Sequence, residues 1–117
     1  MAESKVDGVA LIALERQRQI KGEGWTAEHD DDHGDGDLAL AAVCYATPVP
    51  VFWKDEFAHC LVFRDPWPWD NSFDKRKTLA DGNTTVPNRT LPKKERIRNL
   101  VKAGALIAAE IDRLQRL

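Results

Sequence analysis

The chain has 117 residues, enough to bury one hydrophobic core, so we expect a single domain. Charged residues make up 31% of the chain and apolar residues 43%, a balance that argues against disorder throughout. The formal net charge of −2 does not favour nucleic acid as a partner, and no stretch approaches the ~20 apolar residues of a membrane span. The N-terminus lacks the apolar core of a signal peptide, and Cys44 and Cys60 lack metal-site spacing, so we expect free thiols, a cytoplasmic protein and no membrane partner.

The first predicted helix covers residues 4–21 and begins at Ser4, with the spacing of a capping box. Five apolar residues at helical spacing predict the face that packs on the core: Val6, Ala10, Ala13, Leu14 and Ile20. The second half of the helix is polar almost all round and has two interpretations. Either it is a solvated end with an ion pair between Glu15 and Arg18, or Arg18 and Gln19 point into a polar site.

The next stretch, residues 28–37, holds six carboxylates and two imidazoles within ten residues. Trp25 precedes it and is predicted to anchor the loop on the core, or alternatively to stack on a ligand. The candidate metal ligands are His29, Asp32, His33 and Asp37. Oxygen ligands suit Mg2+ or Mn2+, imidazoles also admit Zn2+, and Asp32 and Asp37 are then the candidate catalytic bases. In the alternative interpretation the acids only cap the following helix, with Asp35 as its N-cap.

The second major helix is predicted over residues 35–46, where small apolar residues suggest tight packing. An irregular insertion rich in tryptophan and proline is predicted to follow over residues 47–92. Within it, two short apolar runs at residues 51–53 and 61–63 fit either a hairpin or a short helix. The periodicity alone does not decide between these two conformations.

The centre of the insertion carries Trp67 and Trp69, which alternate with prolines in a segment that suits neither a helix interior nor a central strand. The two tryptophans are predicted to hold the loop on the core. The alternative is a ligand-stacking or partner-binding surface, which makes them the candidate partner-binding residues. Residues 71–92 are rich in turn-forming residues and are predicted to form an exposed loop or a functional arm.

The last helix is the clearest element and is predicted over residues 93–117. Its segment from Ala103 to Ala109 is small and apolar on every side, so we expect it to be buried all round. Three helices around so small a centre make a lean core, and we expect a homodimer or higher homo-oligomer to bury the rest. The predicted fold class is therefore an all-α, three-helix bundle with a long irregular insertion, completed by dimerisation.

Three blocks of the chain are together similar to the MazG-like all-α nucleotide pyrophosphohydrolases. The blocks are Glu15-x-x-Arg18-Gln19 with Trp25 and His29, Gly36-Asp37-Leu38-Ala39 before a run of small residues, and Asn99-Leu100-Val101-Lys102-Ala103-Gly104-Ala105. The resemblance covers residues 10–46 and 93–117, about half of the chain. The chain also resembles small phage or prophage proteins of unassigned function, and the expected location is then the cytoplasm of the host cell.

In that family, acidic residues hold Mg2+, which neutralises the triphosphate and activates the attacking water. The resemblance implies that Asp37 matches the last Glu of the first acidic motif and His33 its first position. Asn99 and Lys102 stand where the second motif has Glu and Asp, and a protonated lysine repels a metal. Lysine and arginine instead bind phosphate directly. The candidate phosphate- or ligand-binding residues are Arg18, Gln19, Trp25, Arg98, Asn99 and Lys102.

These features favour a phage accessory protein on a degenerate MazG-like fold that binds a nucleotide, a phosphate ligand or a host protein without hydrolysis. An inhibitor of host defence would be one such protein. The first alternative is a metal-dependent nucleotide pyrophosphohydrolase, so enzymatic activity stays an open question. The second is nucleic-acid binding through Lys75-Arg76-Lys77 and the basic run over residues 93–102, which the net charge disfavours.

Overall fold

The computed structural model describes residues 6–57, 59–82 and 84–117. It is about 55% helical, and its described residues form four α-helices and one two-stranded antiparallel sheet. In chain order the elements are α1 (Gly8–Gly22), α2 (Ala27–Asp31), α3 (Asp37–Ala46), β1 (Trp53–Phe57), β2 (Cys60–Arg64) and α4 (Lys93–Gln115), with 3-10 turns at Asn71–Phe73 and Asn88–Thr90. The prediction of an all-α, three-helix bundle is therefore wrong. Within the described ranges, no helix is both long enough and apolar enough to cross a membrane.

The hairpin is the element that the all-α prediction lacks. Of the two conformations left open for residues 51–63, the structure has the antiparallel pair, with Trp53 of β1 opposite Arg64 of β2. Aromatic and β-branched residues favour extended backbone here, and His59 in the connecting turn adopts a left-handed φ of 70°. Every side chain of β2 is exposed, so the hairpin is a two-stranded arm rather than part of the core.

The N-caps of α1 and α3 set where these helices begin. Asp7 caps α1, because its Oδ1 accepts a hydrogen bond from the backbone N–H of Ala10 at 3.0 Å. Ser4, the predicted start, lies outside the described residues. Gly36 is the N-cap of α3 and has a left-handed φ of 81°. The prediction that Asp35 caps this helix is therefore wrong.

α4 is the central element, and α1 and α3 pack along it. The core consists of buried residues from α3 and α4: Leu38, Ala41, Ala42, Tyr45, Ala103, Leu106 and Ala109. Four of these seven are alanines, so the two helix backbones lie close together. Three partly buried tryptophans, Trp25, Trp67 and Trp69, pack against this small core and enlarge it.

The face of α1 that turns inward is polar. Glu15 and Gln19 are the buried residues of α1, with 3% and 2% of their surface exposed, whereas Leu14 is 63% exposed. Val6 and Ala13 are exposed as well, so the predicted apolar face of this helix is wrong. The apolar spacing identifies the helix but selects the wrong side of it, because Glu15 and Gln19 are buried by a polar network that periodicity does not reveal.

The middle of α4 is buried on one side only. Ala105 and Leu106 are buried, but Ile107 exposes 47% of its surface. The prediction that residues 103–109 are buried all round is therefore wrong for the single chain. The reason is that α1, α2 and α3 cover only part of the circumference of α4, and the described residues form no other helix that covers its outward face.

Gly104 lets α1 lie close against α4. A Cβ at this position would come within 2.4 Å of Cδ1 and 2.7 Å of Cγ1 of Ile12. Both separations are far shorter than the ~3.5–4.0 Å of a favourable carbon–carbon contact. The absence of a side chain at position 104 thus sets the distance between the two helices.

Polar contacts tie the insertion to the helices. Arg76 is buried, and its guanidinium lies 2.9 Å from a carboxylate oxygen of Asp65 and 2.7 Å from one of Asp74. The side-chain amide of Asn88 donates to two backbone carbonyls at the end of α3, at 2.7 and 2.9 Å. Residues 71–92, predicted to be an exposed loop, thus contain buried anchors that fix this segment beside α3.

Candidate functional site

Two neighbouring cavities lie beside the insertion, one between it and α1, α3 and α4 and the other between it and the segment around α2, and they share a wall of Trp25, Trp69 and Phe73. The first, here called the cationic pocket, has a volume of about 40 Å³. Its other lining residues are Glu15, Arg18, Gln19, Glu23, Tyr45, Trp67, Lys75, Lys102 and Leu106. The second, here called the histidine cavity, has a volume of about 250 Å³, and its other lining residues are His29, His33 and Asp70.

Glu15 is a buried carboxylate whose two oxygens both have hydrogen-bond partners. The guanidinium of Arg18 donates to both oxygens, from Nε at 2.8 Å and from a terminal nitrogen at 2.7 Å. Arg98 of α4 donates to Oε1 at 2.9 Å, and the amide of Gln19 donates to Oε2 at 3.3 Å. Burial raises the pKa of Glu15, but hydrogen bonds from Arg18 and Arg98 outweigh it and hold this pKa below 4.5. The ionised carboxylate therefore orients three polar side chains at the pocket.

Lys102 lies one turn beyond Arg98 on α4 and is half-buried. Its Nζ is 5.4 Å from the centre of the Tyr45 ring, within the range of a cation–π contact. Burial lowers the pKa of Lys102, and the positive charges of Arg98 and Arg18 lower it further. No carboxylate among the described residues forms an ion pair with this ammonium group.

The cationic pocket has an excess of positive charge and contains one polar atom without a hydrogen bond. The charged groups in it or directly beside it are Arg18, Lys75, Arg98 and Lys102, with Glu15 and Glu23 as the carboxylates. Four cations against two anions leave a local charge of +2. The buried Oε1 of Gln19 has no hydrogen-bond partner in the described part of the chain, which costs about 1–3 kcal/mol. An anion that also carries a hydrogen-bond donor would compensate both deficits.

Four aromatic rings follow one another around the histidine cavity. Trp25 and His29 are stacked, with ring centres 5.8 Å apart and an angle of 3° between the planes. His33 lies 4.8 Å from His29 and 5.2 Å from Trp69, and Trp69 in turn lies 6.1 Å from Trp25. The rings form flat, apolar walls, against which a planar ligand ring packs favourably.

Hydrogen bonds assign the tautomers of both histidines. The indole N–H of Trp69, which is only a donor, lies 3.2 Å from Nδ1 of His33, so the ring proton of His33 is on Nε2. Asp37 lies 3.5 Å from the same Nδ1, which in this tautomer has no proton to donate. Nδ1 of His29 donates to the buried carboxylate of Asp30 at 3.2 Å. His33 thus keeps an Nε2–H donor, and His29 keeps an Nε2 acceptor.

The structure brings the predicted metal ligands together only in part. His29, His33 and Asp37 are neighbours, but Asp32 is the exposed C-cap of α2 and makes no side-chain contact with either histidine. Among the described residues, no three His, Cys, Asp or Glu side chains form a group that could hold a metal ion. We therefore assign no step to the Mg2+ that the resemblance implies. Metal binding, and the catalytic roles of Asp32 and Asp37, stay predictions.

Most of the predicted ligand-binding residues lie at the cationic pocket. Those that line it are Arg18, Gln19, Trp25 and Lys102. Arg98 stands behind them and is joined to the pocket through Glu15. Asn99 lines neither cavity, because its buried amide donates to Oδ1 of Asn88 at 2.8 Å. The predicted partner-binding residues, Trp67 and Trp69, are half-buried walls of the cationic pocket.

Sequence reasoning misses six residues of the pocket: Glu15, Glu23, Tyr45, Phe73, Lys75 and Leu106. Glu15 belongs to the same motif as Arg18 and Gln19. The sequence does not single it out, because the three-residue separation of Glu15 and Arg18 is also the spacing of an ordinary surface ion pair. Tyr45 and Lys75 meet through a hydrogen bond of 3.0 Å from the backbone N–H of Lys75 to the Tyr45 hydroxyl. Because 30 residues separate them, no local pattern predicts that contact.

Comparison of the chain with models of known protein families, with curated proteins and with solved structures finds no match. The resemblance to MazG-like pyrophosphohydrolases therefore stays a prediction.

Proposed function

We propose that this protein binds a small anionic ligand with a planar ring, a nucleotide by its chemistry, without hydrolysing it. The observation that carries the proposal is the juxtaposition of an uncompensated positive charge and a cavity walled by aromatic rings. In this arrangement the phosphate lies against Lys102 and Arg18. The base lies in the histidine cavity, which adjoins the cationic pocket at Trp25, Trp69 and Phe73.

The cationic pocket supports the phosphate half of the proposal. The half-buried ammonium of Lys102 has no carboxylate partner among the described residues, whereas the Arg18 guanidinium is oriented by Glu15. Charge-assisted hydrogen bonds from lysine and arginine are the usual means of holding phosphate. Because the pocket volume is only about 40 Å³, it suits one phosphate group rather than a whole ligand.

The histidine cavity supports the base half of the proposal. Its volume of about 250 Å³ is near the lower end of the ~300–1,000 Å³ typical of small-molecule sites. The His33 Nε2–H donor and the His29 Nε2 acceptor are suited to the mixed donor and acceptor edge of a nucleobase. Stacking on Trp25 or Trp69 adds an attraction that any base can use.

The residues at the second acidic motif support binding without hydrolysis. Lys102 brings a positive charge where the resembling enzymes have a metal-binding Asp, and like charges repel. The side chain of Asn99 forms a hydrogen bond with Asn88 and is not available to a ligand.

We also propose a cytoplasmic location, since both cysteines, Cys44 and Cys60, are free thiols.

The test is a calorimetric titration with nucleoside mono-, di- and triphosphates, the matching nucleosides and inorganic pyrophosphate. Lys102→Met should weaken nucleotide binding by about 10- to 100-fold, the loss of one charge-assisted hydrogen bond. Lys94→Met removes an exposed lysine from the same helix and is the matched control. Because the bound anion favours the ammonium form, affinity should be full below the lowered pKa of Lys102 and fall as the pH rises through it.

The titration is paired with an assay for released pyrophosphate and phosphate in the presence of Mg2+. Nucleotide binding without release is the expected result. Release by the wild-type protein that is lost in Asp37→Ala would replace the proposal with the pyrophosphohydrolase alternative. If no nucleotide binds with a dissociation constant below about 1 mM, the proposal is wrong.

A further inference from the structure

α4 carries an apolar stripe on the face that points away from the core. Its exposed members are Ile97, Leu100, Ile107, Ile111 and Leu114, each between 43% and 53% exposed. With Gly104, the positions are separated alternately by three and four residues, which is the spacing of a coiled-coil contact line. An isolated surface leucine needs no explanation, but a helix-long stripe at this spacing marks a face that packs on another helix.

α1 extends the stripe sideways. Ile12 fills the space above Gly104, so the apolar surface continues through the one position that lacks a side chain. A shallow groove of about 280 Å³ separates the two helices and is lined by four apolar residues of both, including Leu14 and Ile97, together with the charged Glu15, Arg18 and Arg98. The exposed face is therefore a two-helix surface with a ridge along α4 and a groove beside it.

The size of this surface suits a protein partner. α4 has 23 residues and α1 has 15, so at about 1.5 Å per residue and about 10 Å per helix their joint footprint is roughly 550 Å². A standard stable interface buries about 800 Å² on each partner. Side chains that flank the two helices would add the area by which the footprint falls short of this value. The footprint is much larger than a small ligand needs.

We propose that two copies of this chain pair through this surface, with their α4 helices antiparallel. The stripe is complementary to itself in that orientation. A two-fold axis between positions 104 and 107 places Ile97 opposite the Leu114 of a second copy and Leu100 opposite its Ile111. Apolar side chains then meet along the whole line, as an isologous interface requires.

Charge selects the antiparallel orientation over the parallel one. The first turns of α4 carry Lys93, Lys94 and Arg96, which a parallel pair would bring side by side. An antiparallel pair brings them to the negative end of the partner's helix dipole. The two arginines at that end, Arg113 and Arg116, are already paired with Glu110 and Asp31 of their own chain.

The test is sedimentation velocity over about 1–100 μM protein. The wild type should be a dimer, and Ile107→Glu or Ile111→Glu should raise its dissociation constant by more than ~100-fold, because an unpaired charge would be buried at the interface. Leu79→Glu places the same charge on another residue, 52% exposed and outside the stripe, and should remain dimeric. A monomeric wild type, or a dimer that survives both stripe substitutions with helical circular dichroism unchanged, overturns the proposal.

Disulfide trapping in a Cys60→Ser background tests the orientation. Ile97→Cys mixed with Leu114→Cys should cross-link, whereas each variant alone should not. Self-cross-linking of each variant alone would mean a parallel pair. Ile107 lines neither the cationic pocket nor the histidine cavity, so the monomeric Ile107→Glu protein should bind nucleotide as the wild type does, and the two proposals fail independently.

Discussion

The two sides of the α1–α4 pair reverse the usual distribution of polar and apolar residues. On the inner side, Glu15, Gln19 and Lys102 are buried or half-buried among aromatic rings. On the outer side, Leu14 and Ile107 are exposed. In most soluble proteins the assignment is the opposite, because burying a polar group has a cost and burying an apolar one is favourable.

The buried polar residues and the exposed apolar residues are stabilised in different ways. The buried polar side is mostly satisfied within the chain, where Glu15 has four hydrogen bonds, and the two groups of the cationic pocket that lack polar partners among the described residues are Lys102 and one oxygen of Gln19. These two groups point to a ligand. The apolar side is left exposed by the described residues of the chain and calls for a second chain. Both proposals thus follow from residues whose burial is unusual for their polarity.

The largest expected effect tests whether the inner polar network stabilises the fold. Glu15→Ala should lower the free energy of unfolding by about 3 kcal/mol, since it removes four hydrogen bonds to a buried carboxylate, while Arg18 and Arg98, 43% and 48% exposed, are resolvated by water. Urea denaturation followed by circular dichroism measures it. Glu23→Ala removes an exposed carboxylate that contacts the same Arg18 and should change stability by less than ~1 kcal/mol. Equal effects of the two substitutions would mean that the buried network has no special role.

The next effect tests the place where the two sides meet. Gly104→Val should destabilise the protein by about 1–3 kcal/mol, because the new side chain overlaps Ile12 and pushes α1 from α4. Gly22→Val is the control, since a Cβ there meets only Cγ of Arg18 at 3.9 Å. A thermal or urea melt that shows the two valine variants to be equally stable would disprove the close approach of the helices.

The smallest effect is the pH dependence that Glu15 gives to the inner side. Its pKa is below 4.5 in the folded protein, so the stabilisation is fully present above about pH 4.5 and is lost as the pH falls through the folded pKa. The contribution of one proton to the slope is at most about 1.4 kcal/mol per pH unit. Urea melts of wild type and Glu15→Gln between about pH 3 and 7 isolate it. If the difference between them stays constant with pH, Glu15 is not the titrating group.

Helix spacing predicted α4 well, over residues 93–117 against an observed helix from Lys93 to Gln115, because its apolar repeat is long and regular. The sequence does not decide between a hairpin and a short helix for residues 51–63, since apolar runs of three residues are too short to show a period. The apolar face of α1 was assigned to the wrong side. Periodicity reports which residues are apolar, but it does not report which side a polar network from α4 occupies.

The candidate site was predictable where its residues belong to one motif. Arg18, Gln19 and Lys102 were identified from local patterns and converge on one pocket. Glu15 is not predicted as a site residue, because a solvated ion pair with Arg18 explains the same spacing. Tyr45 and Lys75 come together only through the fold of the insertion, which no local pattern encodes.

The hairpin has a consequence for how this protein can vary. Trp53 and Arg64 face each other at its base, so the chain leaves the body of the protein and returns to it at neighbouring points, about 5 Å apart. No described side chain of the hairpin belongs to the core, and its β2 side chains are exposed. Relatives can therefore lose, lengthen or exchange this arm without altering the helices. An engineer can likewise replace it with a short turn or insert a reporter domain there.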